Sequence, residues 1–236
     1  MGNDSRFQGV GTLYIVSTPI GNLEDITFRA VRTLSEVDLI AAEDTRHAKR
    51  LLQHYQISTP VTSFYKDNEH GKSKRLVDQL RTGQLIALVS DAGTPTISDP
   101  GYRLVVDALE AEIPVIPIPG VAACIVAASV AGLPLHNFAF EGFLSPKSGR
   151  RRRRLTEIAT EKRTLIFYES PHRALKFLQD ALEILGNRRI CVARELTKKF
   201  EELFRGQLAE AVDKYQQTQP KGEFTLVIEG ATDSTI

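Results

Sequence analysis

The chain has 236 residues, with 30 Lys and Arg against 29 Asp and Glu, a formal charge of +1 and 42% hydrophobic residues. That length and apolar content suit one large domain or two small ones, and the charge balance excludes a uniformly basic nucleic-acid coat while leaving room for local patches. No apolar stretch is long and uninterrupted enough to read as a bilayer-spanning helix, and the polar start MGNDSRFQGVG lacks the basic-then-apolar order of a signal peptide, so a soluble cytoplasmic protein is expected.

Residues 11–18, GTLYIVST, have the β-branched content of a short buried strand and end in the turn PIGN. The next segment places Ile26, Ala30, Val31 and Leu34 on one helical face, with Asp25 positioned to cap it. Residues 37–42, VDLIAA, form a second apolar run that opens on Glu43-Asp44-Thr45-Arg46-His47. Charged groups at a strand end serve to position a substrate or move a proton. Asp44 or Thr45 serves equally well to cap a helix over residues 48–55. A third strand is expected over residues 61–65, then a solvated loop over 66–74, then a helix with Leu76, Val77 and Leu80 on one face.

The fourth run, LIALV, leads into SDAGTPTISDPG at residues 90–101. Two Gly, two Pro and two Asp separate that strand from the helical spacing of Leu104, Val105, Ala108 and Leu109, where a plain connection needs only a few residues of turn chemistry. This loop is expected to be the centre of a ligand site, because ligands of open α/β sheets settle beyond the carboxyl ends of the strands and Ser90 marks such an end. A fifth strand over residues 114–118 completes five runs interleaved with helices, which predicts a mostly parallel, doubly wound sheet. Pro119-Gly120 then opens residues 121–131, built almost wholly from Ala, Val, Ile, Cys and Ser. A helix buried on most sides is expected there, ended by Gly132 and Pro134, its N-terminal NH groups suited to an anion.

From Asn137 the rhythm changes to strands over residues 138–143, 164–168, 190–195, 200–204 and 224–228. The connection at 196–199 is too short for a crossover helix, so at least that pair is antiparallel and the second sheet mixed. Pro171 is expected to begin a helix behind Ser170 as cap, with Ala174, Leu178, Ala181 and Leu185 on its apolar face. These readings give an N-terminal α/β domain over 1–120 and a C-terminal one over 121–236. Cys124 and Cys191 sit in separate apolar runs and read as free buried thiols, and neither they nor the histidines show metal-ligand spacing, so no metal site is expected. Arg150, Arg151, Arg152, Arg153 and Arg154 are consecutive, a direct signal for phosphate and RNA, with a solvated helix start as the plain alternative. Glu169, His172 and Arg173 lie at one strand end, and Arg194, Glu195 and Lys198 at another.

In this order, PIGNLEDIT, AAEDTRH, SDAGTPTISDPG, PIPG, AGLP, IFYESPHR and ARELTK resemble the ribosomal RNA small-subunit methyltransferase I branch of the tetrapyrrole methylase superfamily, over residues 12–230. The resemblance implies two α/β domains with an interdomain cleft, S-adenosylmethionine as donor in that cleft, and a homodimer. It further implies 2′-O-methylation of a decoding-centre cytidine in the 16S rRNA of the small ribosomal subunit. It puts the donor against Pro19, Asp91, Gly93, Pro95, Ile97 and Ser98, with Pro119, Gly120 and Ala123 beside them. Tyr168, Ala193, Arg194 and Glu195 would close over it from the second domain. The glycine fingerprint of Rossmann methyltransferases is absent. Members of the family often continue into a small helical extension, whereas this chain ends soon after EFTLVIEG.

A hydroxyl is a poor nucleophile until its proton leaves, so such a reaction calls for a general base. Glu43, Asp44 and Glu169 are the candidates, with Arg46, Arg173 and Lys198 to orient phosphate or lower the hydroxyl pKa. Two other functions stay open on the sequence: methylation of a tetrapyrrole or other small molecule in the same donor cleft, and a non-catalytic RNA-binding or ribosome-assembly factor on the same scaffold.

Overall fold

In the computed structural model, which describes residues 9–218 and 221–232, the chain divides into two compact units, one up to Ala122 and one from Ala123 onward. In the first, β1 (Thr12–Val16), β2 (Leu39–Ala42), β3 (Val61–Ser63), β4 (Leu85–Val89) and β5 (Val115–Ile118) form one sheet in the order β3-β2-β4-β1-β5. All its pairings are parallel. Strands of a parallel sheet are covered on both faces and read as continuous apolar runs, which is why LIALV of β4 has no polar position.

The period of two then divides each strand between two cores. On one face Val16, Ala87 and Val89 meet Ala30 and Leu34 of α1 (Phe28–Glu36) and Ala48 and Leu52 of α2 (Thr45–His54). On the other, Leu13, Ile86 and Leu88 meet Leu76 and Leu80 of α3 (Glu69–Arg81) and Leu104 and Ala108 of α4 (Tyr102–Glu110). The helix after β4 therefore lies on the face opposite the helices that follow both of its neighbours, β1 and β2. Chains leaving these carboxyl ends must part, and a crevice opens at the end of β4.

The second unit begins with α5 (Ala123–Val130) and holds a mixed sheet in the order β6-β7-β10-β8-β9. Its strands are β6 (Phe138–Phe143), β7 (Thr164–Glu169), β8 (Arg189–Arg194), β9 (Glu202–Gln207) and β10 (Phe224–Ile228). Only β6 and β7 pair in parallel, and β8 and β9 are antiparallel, as their short connection requires. On one face Phe167, Val192 and Leu226 pack against α6 (Ser148–Glu157), α7 (Ala174–Leu185) and α8 (Leu208–Gln217) through Leu155, Phe177, Leu178, Ala211 and Tyr215. The alternate residues Ile166, Cys191 and Val227 are buried on the other face, where α5 crosses β7, β10 and β8. Both cysteines are free and buried. Among the described residues no helix is long and apolar enough to cross a membrane.

Several expected boundaries shift, each for a local reason. α1 starts at Phe28 because Thr27 Oγ1 accepts the Ala30 N–H at 3.1 Å, while Leu23–Asp25 form a 3-10 turn capped by Asn22, so Asp25 is not the cap. α3 starts at Glu69, inside the expected 66–74 loop, because Asn68 Oδ1 closes a turn onto the Tyr65 N–H at 2.9 Å. α7 starts at Ala174 and not at Pro171, since Ser170 Oγ accepts from Arg173 Nε at 3.2 Å and caps nothing. β9 runs from Glu202, later than expected. Leu109 of α4 is exposed, and α5 bares Ile125 and Val130, so neither helix buries the full face its sequence offers.

The arginine run departs furthest from expectation. In α6 only Arg151 and Leu155 are buried, and Arg151 donates to Asp180 Oδ2 of α7 through Nε at 2.7 Å and Nη2 at 2.6 Å. Arg152 pairs with Asp180 at 2.9 Å and with Glu183, Arg153 with Glu157 at 3.0 Å, and Arg154 with Glu141 of β6 at 2.8 Å. Arg151 thus serves the core and not RNA, because its counter-charge comes from the neighbouring helix. Asp180→Ala is expected to leave Arg151 buried without a partner and to cost about 3–5 kcal/mol. The midpoint of urea unfolding reads this directly, and an unchanged midpoint would show that the pair does not hold α6 to α7.

Candidate functional site

The crevice at the end of β4 is closed by backbone and hydroxyl contacts among three loops. Thr18, just past β1, exchanges hydrogen bonds with Gly93: the Thr18 N–H donates to Gly93 O at 2.8 Å and the Gly93 N–H to Thr18 O at 3.0 Å. Gly93 has φ +81°, and a Cβ there would lie 3.3 Å from Ile20 Cγ2, so glycine fits both the backbone and the space. Ser17 Oγ and Thr94 Oγ1 are 2.9 Å apart, and Thr94 Oγ1 donates to Val121 O at 3.2 Å. Gly120, after β5, lets that loop press on β1, since a Cβ would sit 2.7 Å from Ser17 Cβ. At the loop's far end Glu69 Oε1 accepts the N–H groups of Gly101 at 3.1 Å and Arg103 at 3.2 Å.

This framework gathers Pro19, Asp91, Gly93, Pro95, Ile97, Ser98, Pro119 and Gly120 at the carboxyl edge of the first sheet. Pro19, Gly93 and Pro95 are buried, while Ile97, Ser98, Pro119 and Gly120 are exposed. Two further features gather there. Ser90 Oγ is buried and has no hydrogen-bond partner among the described residues. Thr96 and Ser98 adopt φ of +73° and +67°, a left-handed backbone that costs side-chain-bearing residues on the order of 1–3 kcal/mol each.

The acids of β2's end lean on the same loop. Asp91 Oδ1 accepts the Asp44 N–H at 2.9 Å, and the Asp91 backbone N–H donates to the Glu43 carboxylate. Burial, then the nearby Asp99 and Asp91 carboxylates, push the Glu43 pKa above the ordinary range. Asp44 goes the other way. Hydrogen bonds from the Arg46 side chain and backbone hold its carboxyl well below the usual range, and it caps α2. Asp44 is thus a weak base committed to structure, and Arg46 is its ion-pair partner.

In the second unit Glu169 and Arg194 both stand opposite Phe224 of β10, so the ends of β7 and β8 share one sheet edge, about 10 Å apart across two strand spacings. The Glu169 side chain is 1% exposed. Its Oε1 meets Arg173 Nη2 at 2.6 Å and the Ser170 N–H at 2.8 Å, its Oε2 has no partner among the described residues, and burial raises its pKa. Burial opposes the charge on Lys198, yet Glu223 at 2.8 Å and Glu195 at 2.9 Å outweigh it and hold that lysine above its ordinary pKa. Arg194 pairs with Glu202 at 2.9 Å, and Ala193 is buried within β8. Tyr168 Oη accepts the Cys124 N–H of α5, next to Ala123, at 3.0 Å. Of the arginine run only Arg150 has no acidic partner among the described residues. Sequence reading missed Thr18, Ser90 and Thr94. The signal for the first two is a polar residue at the tip of an apolar run.

Residues 12–212 match the family described as Tetrapyrrole (Corrin/Porphyrin) Methylases. The chain is 56% identical over 220 residues to a Halalkalibacterium halodurans protein named Ribosomal RNA small subunit methyltransferase I, covering 93% of this chain and 76% of that one. It is 55% identical over 224 residues to the protein of the same name from Synechocystis sp., covering 94% of this chain and 80% of that one. Among solved structures it is similar to uroporphyrin-III C-methyl transferase from Thermus thermophilus complexed with S-adenyl homocysteine. That match has a TM-score of 0.64 and 20% identity, and covers 92% of this chain and 97% of the other.

The raised pKa of Glu43 means that the native state binds its proton more tightly than the unfolded chain does, so stability falls as pH rises from the ordinary carboxylate range through the raised value. Glu43→Gln is therefore expected to stabilise the protein at pH 7 and to make no difference near pH 3. Thermal unfolding at the two pH values checks this. A variant less stable than wild type at pH 7 would show that the carboxylate is held by contacts that outweigh its repulsion.

Proposed function

The chain belongs to the tetrapyrrole methylase family, and from that membership we propose that it transfers a methyl group from S-adenosylmethionine to the 2′-hydroxyl of a decoding-centre cytidine in 16S rRNA. It does so as a cytoplasmic homodimer acting on the small ribosomal subunit. The observation that carries this reading is identity above one half, over more than nine tenths of the chain, with proteins named Ribosomal RNA small subunit methyltransferase I.

The carboxyl edge of the first sheet fits such a donor. Gly93 and Gly120 leave the backbone bare where a side chain would collide, and Ser90 Oγ is a buried hydrogen-bonding group with no protein partner among the described residues. Asp91, Ile97 and Ser98 lie on the same loop, and in this reading they hold the donor with Pro19, Pro95, Pro119 and Gly120. Ala123, Tyr168, Ala193, Arg194 and Glu195 complete its contacts from the second unit. When bound, the sulfonium supplies a methyl group already activated for transfer. The protein's part is then to align the ribose oxygen, exclude water and take the proton. Alignment of this kind supplies roughly 7–11 kcal/mol, and general-base assistance about 10²–10⁴-fold.

Glu43 is the base we favour. Its raised pKa makes it a stronger proton acceptor than an ordinary carboxylate, whereas Asp44 is weakened by Arg46 and Glu169 is enclosed beside Arg173. Asp44 and Arg46 then fix the start of α2, and Glu169 with Arg173 and Lys198 with its two carboxylates set the charged edge of the second sheet.

Incubation with labelled donor and small subunits from cells lacking the modification is expected to place label in a cytidine ribose. Absence of ribose label would end the proposal, label in a tetrapyrrole instead would favour small-molecule methylation, and failure to bind donor in calorimetry would favour a non-catalytic factor. Asp91→Ala is expected to weaken donor binding more than RNA binding. Glu43→Gln is expected to lower kcat by about 10²–10⁴-fold with donor affinity retained, and a kcat near wild type would remove Glu43 from the role.

A further inference from the structure

We infer that the tip of β6 and the start of α6 form an RNA-gripping strip in which Phe143 stacks on an unpaired base while Lys147 and Arg150 hold the adjoining phosphates. The inference rests on the RNA-methyltransferase reading above and assigns it a contact surface.

Phe143 is the last residue of β6 and is 52% exposed. Leaving a phenylalanine in water forgoes about 1.5–3 kcal/mol of burial, so its presence calls for a reason beyond folding. Its orientation is built in. Strict alternation would put Phe140 and Phe143, three residues apart, on opposite faces of the strand. The register shifts between Phe140 and Gly142, where Gly142 takes φ +62°, and this sets Phe140 opposite Ile166 and Phe143 opposite Tyr168. Both rings then meet Tyr168, with centroids at 5.0 Å and 5.5 Å. Bulges of this kind re-aim a side chain. A ring braced by aromatic neighbours and open on another side is a stacking platform, and every base has a π-face to offer it.

The cations beside it are the unpaired ones. Lys147 and Arg150 are exposed and have no acidic partner among the described residues, whereas Arg151, Arg152, Arg153 and Arg154 are each ion-paired. The paired arginines fix where the free cations stand. Arg154 grips Glu141 of β6 at 2.8 Å and 2.9 Å, so α6 runs back along β6 and its first turn lies at the strand end that carries Phe143. Aromatic stacking with cations on either side is the chemistry by which proteins take hold of unpaired RNA.

The test measures affinity of the full chain for unmodified small subunits at several salt concentrations, with donor affinity measured separately by calorimetry. Phe143→Ala is expected to weaken subunit binding about 5- to 150-fold, the loss of one stacked base, and Phe143→Trp to restore it. Replacing Lys147 and Arg150 together by Ala is expected to reduce the slope of log K against log salt by about 1.4, since each phosphate set free removes roughly 0.7. Donor affinity should be unchanged throughout. Wild-type subunit affinity in Phe143→Ala, or a salt slope unmoved by the double substitution, overturns the inference. So does a change of oligomeric state in sedimentation on replacing Phe143, which would make the ring part of a subunit interface. A wild-type chain that methylates no ribose defeats the methyltransferase reading. A wild-type chain that methylates while Phe143→Ala binds and turns over normally defeats this inference alone.

Discussion

Everything at the first sheet's carboxyl edge depends on one topological constraint, the passage of the chain from β4 to the face opposite that used after β1 and β2. A strand whose successor helix lies on the same face as its neighbours' needs only a short turn. β4 sits between two strands whose chains leave toward the other core, so its own exit must cross the gap they open. Residues 90–101 are long because they span that gap, and they are rich in Gly and Pro because the span is built from tight turns. The Thr18–Gly93 bridge and the Ser17–Thr94 contact then tie the crossing to β1, while Asp91 ties it to the start of α2 through the Asp44 N–H. A loop fastened at both sides and at its end by Glu69 is a rigid wall, which is what alignment of two reactants demands.

The second unit organises itself by a different rule, the pairing of charge. Arg151 with Asp180, Arg194 with Glu202, and Lys198 with Glu195 and Glu223 bind helices and strand ends to one another, and all of them involve groups at least partly withdrawn from water. Once a guanidinium is enclosed beside its carboxylate, removing it to bind phosphate would leave a buried charge behind. Framework and recognition therefore draw on separate sets of side chains. The paired arginines of α6 fix the helix, and the unpaired Arg150 and Lys147 stand at its open end.

This separation explains what the sequence could and could not reveal. β4, β6 and β10 have the expected bounds because β4 and β10 are wholly apolar or β-branched stretches and β6 is framed by turns, so no competing structure is offered. The starts of α1 and α7 differ from expectation because Asp25, Thr27, Ser170 and Arg173 all offer plausible caps, and the choice is made by which carbonyl or hydroxyl is within reach. The β4 loop announced itself through composition. Its inner chemistry did not: the positive φ of Thr96 and Ser98 contradicts their local preference, and the raised pKa of Glu43 depends on Asp91 and Asp99 brought to it by folding. The arginine run misled for the same reason in reverse, since Asp180, Glu183 and Glu141 lie elsewhere in the sequence and only the fold sets them against it.

The departures from local rule are not scattered. A buried hydroxyl without a partner at Ser90, two left-handed residues at Thr96 and Ser98, and like charges gathered at Glu43, Asp91 and Asp99 all fall on the single stretch that leaves β4 or on the strand end beside it. Each is unfavourable by itself, and each persists because the two-sided core around β4 holds the stretch in place. A fold relaxing freely would lose such features first. Their concentration where the topology opens a crevice marks that stretch as shaped for something outside the chain, and the raised proton affinity of Glu43 sets the best proton acceptor of the first unit against the loop in which the other strained groups converge.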